Sequence, residues 1–411
     1  MRYKKSFCNI LHPELSNRKL TSRFVEVSLR QFLLLLLAGC LGATNILAEP
    51  IVLDQGTPVS LLSVQHQTDE TVLIALGELA FKNKSLLDAS NSFGLHMSCD
   101  ACHPDGGTTQ SLFVEGLSGK PGTIDITNRA MTLYEDGSFN PVNIPSIFGA
   151  RHTEPYARSG KFSTLREFTR FVVVDEFGGL APGDLTLDAL VAYERSLNFL
   201  DNRWIDDKGA LVAGTPSAAR RGETIFNEPF PSQPGLTCAT CHNPETSFVD
   251  GNTRSVGTGV TVDTPTLRDL TISAPYMHDG RFDSLLEVVE HFDKYYELNL
   301  SNGQKDDLVS YLKVVGGGEL PKFSKSSHVH LDTVFVLLNR TLRASDWALG
   351  KMVIAQVLIE LNVARDQANP PSREIIDRVF SDISRIDAYN KVENYTAALA
   401  ILDNLSKVIV R

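Results

Sequence analysis

Two pentapeptides constrain this chain more than anything else in it: Cys99-Asp-Ala-Cys102-His103 and Cys238-Ala-Thr-Cys241-His242, 139 residues apart. Two thiols three residues apart can form thioethers with both vinyl groups of a haem, and the histidine that follows is then directed at the iron. The pattern therefore predicts two covalently bound haem c groups. The first is attached through Cys99 and Cys102 with His103 as its proximal iron ligand, and the second through Cys238 and Cys241 with His242. A structural zinc site would need the two distant pairs brought together, and a thioredoxin-like redox pair would leave both trailing histidines unexplained. The two remaining cysteines, Cys8 and Cys40, fall in a targeting segment, so no disulfide framework is left to build.

The flanks of the two motifs repeat. A helical lead-in, Leu73-Ile-Ala-Leu-Gly-Glu-Leu-Ala-Phe81, precedes the first motif, and Ala218-Ala-Arg-Arg-Gly-Glu-Thr-Ile-Phe226 precedes the second. After the motifs, Pro145, Pro155, Tyr156, Gly160, Phe162, Leu165 and Glu167 fall without a gap on Pro265, Pro275, Tyr276, Gly280, Phe282, Leu285 and Glu287. Each copy ends in an amphipathic stretch, Leu187–Leu197 and Asp306–Val314. Short helical patterns alternate with Gly/Pro-rich loops and show little period-two patterning, which predicts an all-α fold made by internal duplication. The expected units are haem domains at 60–205 and 215–318 and a helical extension at 324–411, with Gly316-Gly-Gly318 as the boundary before the extension. That extension reads as three or four amphipathic helices broken at Asn369-Pro-Pro371. The apolar spacing of Met352, Val353, Val357, Leu358 and Leu361 fits either a bundle packed on the haem domains or a partner-binding module. His328 and His330 near its start read as surface histidines without a metal.

Residues 1–48 read as an export signal, because the apolar run Gln31–Gly42 is too short to span a bilayer but has the length of a signal-peptide core. Leu37-Ala-Gly-Cys40 has the form of a lipoprotein cleavage site that would put a lipid anchor on Cys40, while Ala48 could end an ordinary signal peptide instead. Either route predicts a periplasmic protein. The formal charge of −10 makes nucleic acid an unsuitable partner. An acidic surface either steers small basic redox proteins to a docking site or simply keeps the protein soluble.

With these residues in view, the chain resembles the bacterial dihaem cytochrome c peroxidase superfamily, which includes the methylamine-utilisation dihaem enzyme. The resemblance is carried by Ser98–Pro104, Thr237–Pro244 with Phe248, Val256–Gly259, and Thr264–Arg268 leading to Ala274-Pro-Tyr-Met-His-Asp-Gly280, and it covers about residues 70 to 316. It implies two class-I-like cytochrome c domains, often with calcium between them. One haem, usually the N-terminal, reacts with hydrogen peroxide while the other relays electrons.

Several positions depart from the family pattern. Gly119 stands where peroxidases that need activation carry a distal histidine, which leaves the first haem open unless Met131 or His152 takes over. Glu167 is the match for the family's distal acid, with Arg166 as the neighbouring alternative. Phe292 stands where the second haem's distal methionine or tyrosine would lie, so Met277, His291 and Tyr295 become the candidate substitutes. The inter-haem tryptophan is missing, leaving Tyr134, Phe139 or direct tunnelling. The reading is a peroxidase-like oxidoreductase that takes electrons from a small periplasmic cytochrome c or copper protein and reduces hydrogen peroxide at the His103 haem. The rivals are a dihaem electron carrier without turnover, and oxidation of a protein side chain as in the methylamine branch.

Overall fold

The computed structural model describes residues 69–87, 97–127, 136–319, 331–367 and 370–409. Residues 1–48, expected to be an export signal, with Cys40, and Met131, Tyr134, His328 and His330 lie outside them. The described chain is mostly helical, and its strands amount to two short hairpins. No described helix is long and apolar enough to cross a membrane.

Two frames of the same design carry the cysteine motifs. In the first, α1 (Asp69–Lys82) precedes the single motif turn α2 (Cys99–Cys102), and the hairpin β1 (Thr123–Ile124) with β2 (Val142–Asn143) follows. The frame is completed by α3 (Leu165–Phe171) and α4 (Asp184–Ser196). In the second, α5 (Ser217–Asn227) precedes the motif turn α6 (Cys238–Cys241). Next come the hairpin β3 (Thr253–Ser255) with β4 (Thr261–Asp263), then α7 (Leu285–Tyr296) and α8 (Asn302–Val315).

In each frame the first and last helices cross at a glycine, because only a residue without a side chain lets the backbones come so close. A Cβ on Gly77 would lie 1.9 Å from the Ala189 carbonyl oxygen, and one on Gly222 would lie 2.1 Å from that of Asp307. Beside each crossing an aromatic pair seals the core, Phe81 with Tyr193 at 5.2 Å and Phe226 with Tyr311 at 4.9 Å between ring centroids. The turns match as well. Both Pro155 and Pro275 follow cis peptide bonds, and Gly160 and Gly280 take the left-handed conformation, φ 62° and 67°. Tyr156 and Tyr276 bridge to Phe162 and Phe282.

The frames meet reciprocally. Asn143 N–H donates to the His278 carbonyl at 3.0 Å, and Asp263 N–H donates to the Arg158 carbonyl at 2.8 Å. Thus the hairpin of each frame sits on the proline turn of the other, with Lys120 and Asp283 paired across the seam at 2.7 Å.

Four further helices follow: α9 (Leu331–Arg343), α10 (Trp347–Gln367), α11 (Pro370–Lys391) and α12 (Tyr395–Ile409). Their apolar faces, including Leu338, Leu349, Val353, Val357, Ile383 and Leu402, form one continuous core with Leu76, Phe81, Ala189 and Leu190 of α1 and α4. The second frame keeps a separate core. A buried carboxylate reinforces the join. Asp346 Oδ2 accepts from Thr186 N at 3.2 Å and Thr186 Oγ1 at 2.7 Å in the first turn of α4, while its Oδ1 accepts from Leu349 N in the first turn of α10.

Candidate functional site

The motif turns are the best-defined chemistry in the molecule. Ser98 and Thr237, both extended, start them, and each turn closes when the histidine N–H donates to the carbonyl of the first cysteine, at 2.9 Å for His103 and 3.0 Å for His242. The histidine backbones then adopt one conformation, φ −121° and ψ 64° against φ −103° and ψ 67°.

Each imidazole is fixed through Nδ1. His103 Nδ1 lies 2.9 Å from the Pro145 carbonyl oxygen, and His242 Nδ1 lies 3.0 Å from that of Phe248. A carbonyl only accepts, so Nδ1 carries the hydrogen and Nε2 keeps its lone pair for a metal. Burial lowers both histidine pKa values below the usual range, outweighing the nearby carbonyls, so the rings are neutral as ligation requires.

All four cysteines are free, and burial pushes their thiols up, Cys102 to about 11 and Cys238 to about 12. Protonated thiols in apolar surroundings are poor zinc thiolates and sluggish redox groups. Among the described residues no three His, Cys, Asp or Glu side chains gather into a metal-binding group. Two thiols and one neutral imidazole per turn fit a covalently attached haem at each motif.

The remaining candidates are more scattered. Gly119 lies in a loop whose N–H donates to Thr123 Oγ1 at 3.2 Å, and it has no side chain to offer iron. His152 Nε2 accepts from Arg151 Nε at 2.9 Å, and the ring stacks on Phe199. Burial and the cations of Arg151, Arg268 and Arg195 lower its pKa. It borders a cavity of about 390 Å³ between the frames, with Glu154, Glu245 and Asp250.

Glu167 is exposed at the start of α3. Its Oε2 accepts from Thr164 Oγ1 at 3.0 Å while its N–H donates to that same hydroxyl at 3.2 Å. Glu287 makes the same two bonds with Ser284 at the start of α7 and also accepts from Ser284 N at 2.8 Å, completing a capping box, so the glutamate supports the helix cap in both frames. Arg166 pairs outward with Asp184 and Asp188 of α4.

In the second frame, Met277 sits half-buried in the left-handed turn, φ 70°. His291 points its Nε2 at the Val256 carbonyl, 2.7 Å away, and stacks on Tyr295, whose hydroxyl donates to the Ser255 carbonyl. Phe139, proposed from sequence as a relay, is 62% exposed.

Sequence reasoning passed over two features. Asn143 Oδ1 and Asp263 Oδ1, at matching hairpin positions on the seam, are buried without a hydrogen-bond partner. An orphaned carboxamide oxygen fits the all-oxygen donor set that calcium takes. The other feature is Glu194 on α4, 9% exposed, whose Oε2 lies 2.7 Å from Thr169 Oγ1. Burial raises its pKa to about 7. The signal lay in the closing helices, where Tyr193-Glu194 occupies the place of Tyr311-Leu312.

Residues 216–313 match the family model described as di-haem cytochrome c peroxidase. The chain is 24% identical over 313 residues to hydrazine synthase subunit gamma of Kuenenia stuttgartiensis, taking in 61% of this chain and 80% of that one. It is 27% identical over 289 residues to methylamine utilization protein MauG of Methylophilus methylotrophus, with 60% and 82% covered. It is also 32% identical over 153 residues to the MauG of Methylorubrum extorquens, with 33% and 42% covered. Among solved structures, the K. stuttgartiensis hydrazine synthase superposes with a TM-score of 0.43 and 21% identity, covering 66% of this chain and all of that one. A MauG-like protein associated with microbial copper homeostasis gives 0.43 and 18%, covering 70% and 100%.

Proposed function

We propose, proceeding from the membership of this chain in the di-haem cytochrome c peroxidase superfamily, that it is a periplasmic dihaem c-type cytochrome with peroxidase-like activity. One haem is attached at Cys99 and Cys102 with His103 as proximal ligand, the other at Cys238 and Cys241 with His242. The observation that supports this reading best is the pair of imidazoles locked through Nδ1 directly after a Cys-x-x-Cys turn in two matched frames. The frames are read as products of one duplication.

Haem held at the two turns would supply the redox chemistry for reducing hydrogen peroxide. The rest falls to the protein. His103 and His242 hold their rings in one tautomer, and the half-buried Cys99 with the buried Cys102 would place the first group beside α1. Gly119, without a side chain, would offer the His103 group no ligand from its loop. Asn143 offers its orphaned oxygen to a calcium ion at the seam. Electrons come from a small periplasmic redox protein, a cytochrome c or a copper protein.

The test combines haem counting with peroxide reactivity. Cys99→Ala with Cys102→Ala leaves one haem per chain by pyridine haemochrome, and all four cysteine changes leave none. Stopped-flow mixing of the oxidised protein with hydrogen peroxide changes the spectrum of the wild type but not of the Cys99/Cys102 variant. Two haems in that variant would overturn the attachment sites. A silent wild type carrying both haems would overturn the peroxidase reading in favour of an electron carrier.

A further inference from the structure

The two frames are close enough in design that each serves as a control for the other. Thr164 and Ser284 cap α3 and α7 alike, so Thr169 of α3 corresponds to Val289 of α7. Gly77 meets Ala189 and Tyr193 as Gly222 meets Asp307 and Tyr311, so Glu194 of α4 corresponds to Leu312 of α8. In the second frame Val289 and Leu312 are 3% and 7% exposed and belong to one apolar core. In the first frame the same two positions hold Thr169 and Glu194, 6% and 9% exposed. The fold does not require polar groups there, since its other copy manages without them. Burying a carboxyl is costly unless something else is gained.

The hydrogen bonds say which forms of the carboxyl can be held. Thr169 Oγ1 lies 2.9 Å from the Leu165 carbonyl oxygen and 2.7 Å from Glu194 Oε2. A hydroxyl has one hydrogen to give. Thr169 can therefore donate to the ionised Glu194 carboxylate, or give its hydrogen to the Leu165 carbonyl and accept from a protonated Glu194, so the pair accommodates the carboxyl in either form. Burial favours the protonated form and the Thr169 hydroxyl opposes it, which leaves the group's pKa at about 7, where it can take up or release a proton.

The surroundings point to the redox centre. Burial first, and after it the Glu194 carboxylate with a smaller part from Asp100, raises the pKa of Cys99, the first attachment cysteine, whereas Cys238 has no carboxylate among the groups acting on it. From the turn before α3, Tyr156 also feels Glu194, together with Glu154 and Arg195. The α1 charges Glu78 and Lys82 face the neighbouring Tyr193 and pair with each other at 2.9 Å.

We infer that Glu194 is the proton-accepting group of the His103 haem: reduction of that haem by a one-electron donor is accompanied by uptake of one proton from solvent at the Glu194 carboxylate, and oxidation releases it. The electron goes to the iron and the proton to the carboxylate, so the net charge of the buried site is unchanged. This inference rests on haem attachment at Cys99–His103 and is independent of peroxide turnover. The second haem, with Val289 and Leu312 in the matching places, has no such partner.

The test replaces the polar pair with the pair the other frame already packs, Thr169→Val with Glu194→Leu, alongside Glu194→Gln. Potentiometric titrations of the holoprotein are followed at the haem absorbance across pH 5 to 9. In wild type the midpoint of one haem falls as pH rises through neutrality, because the ionised carboxylate favours the ferric state. Both variants are expected to lose that dependence and to keep two haems. Redox difference infrared spectra of wild type show a protonated-carboxyl stretch that Glu194→Gln lacks. A pH-independent wild type, or an undiminished dependence in both variants with two haems present, overturns the inference alone. A wild type lacking the Cys99–His103 haem overturns it together with the attachment sites.

Discussion

Removing the Asp346 carboxylate tests whether the C-terminal helices belong to the first haem frame. Gly183 precedes α4 and offers that helix no side-chain cap, and Asp346, 160 residues beyond Thr186 in sequence, fills the role. Its Oδ2 lies 2.8 Å from where a Gly183 Cβ would stand. The same carboxylate accepts from Leu349 N at 3.0 Å, so one negative group caps two helix N-termini. Asp346→Ala removes an N-cap worth about 1 kcal/mol. It also strands the fully buried Thr186 hydroxyl, at a further cost of about 1–3 kcal/mol. The expected loss is about 2–4 kcal/mol, a large share of the 5–15 kcal/mol that typically holds a domain together. Urea unfolding of the holoprotein would be followed by far-ultraviolet circular dichroism for the helices and by haem absorbance for the first frame. Both transitions move to lower urea together, and Asp346→Asn, which keeps one acceptor oxygen, loses less. A haem transition that stays in place while the helical signal shifts would mean the extension is an independent module.

Two further expectations bear on the frames themselves. Gly77→Ala and Gly222→Ala, each favourable by about 1 kcal/mol in an open helix, should instead reduce haem retention in their own frame, measured by pyridine haemochrome, because the new Cβ would meet a backbone carbonyl. The Glu194 carboxyl also ties stability to pH. Unfolded, it releases its proton near its ordinary 4.5, and folded near 7, so its contribution is fully present below pH 4.5 and is lost as pH rises to 7, by about 3 kcal/mol in all. Urea midpoints measured from pH 4.5 to 8 should therefore fall more steeply in wild type than in the Thr169→Val/Glu194→Leu variant, and parallel curves would refute the linkage.

Much of the architecture was legible because it depends on local pattern. The cysteine motifs, the paired prolines and glycines of the two turns, and the helix stop at Gly316 are all written in short stretches of sequence. Glu167 shows where that legibility ends. It falls on Glu287 in the repeat, and the structure explains the match by a capping role common to both frames, which sequence position alone could not separate from a catalytic one. Asp346 and Thr186 illustrate the opposite difficulty, since a bond between residues so far apart follows only from how the extension docks. His291 carries a ligand's chemistry, but the Val256 carbonyl it meets is set by tertiary packing.

The same reasoning explains why the informative residues are those where the copies disagree. Where both frames keep a residue, as at Gly77 and Gly222 or Tyr193 and Tyr311, steric demands of the crossing account for it. Where one frame holds Thr169 and Glu194 against Val289 and Leu312, packing cannot be the cause, because an apolar pair satisfies the same backbone. The seam shows a second such disagreement. Asn143 and Asp263 occupy matching places and each leaves an oxygen unpaired, yet one is permanently neutral and the other can ionise, its pKa raised to about 6 by burial. Two frames of one design in one chain thus separate what holds the scaffold from what differentiates the frames. Both disagreements put an ionisable group in only one frame: Glu194 on α4 of the first, and Asp263 on the hairpin of the second.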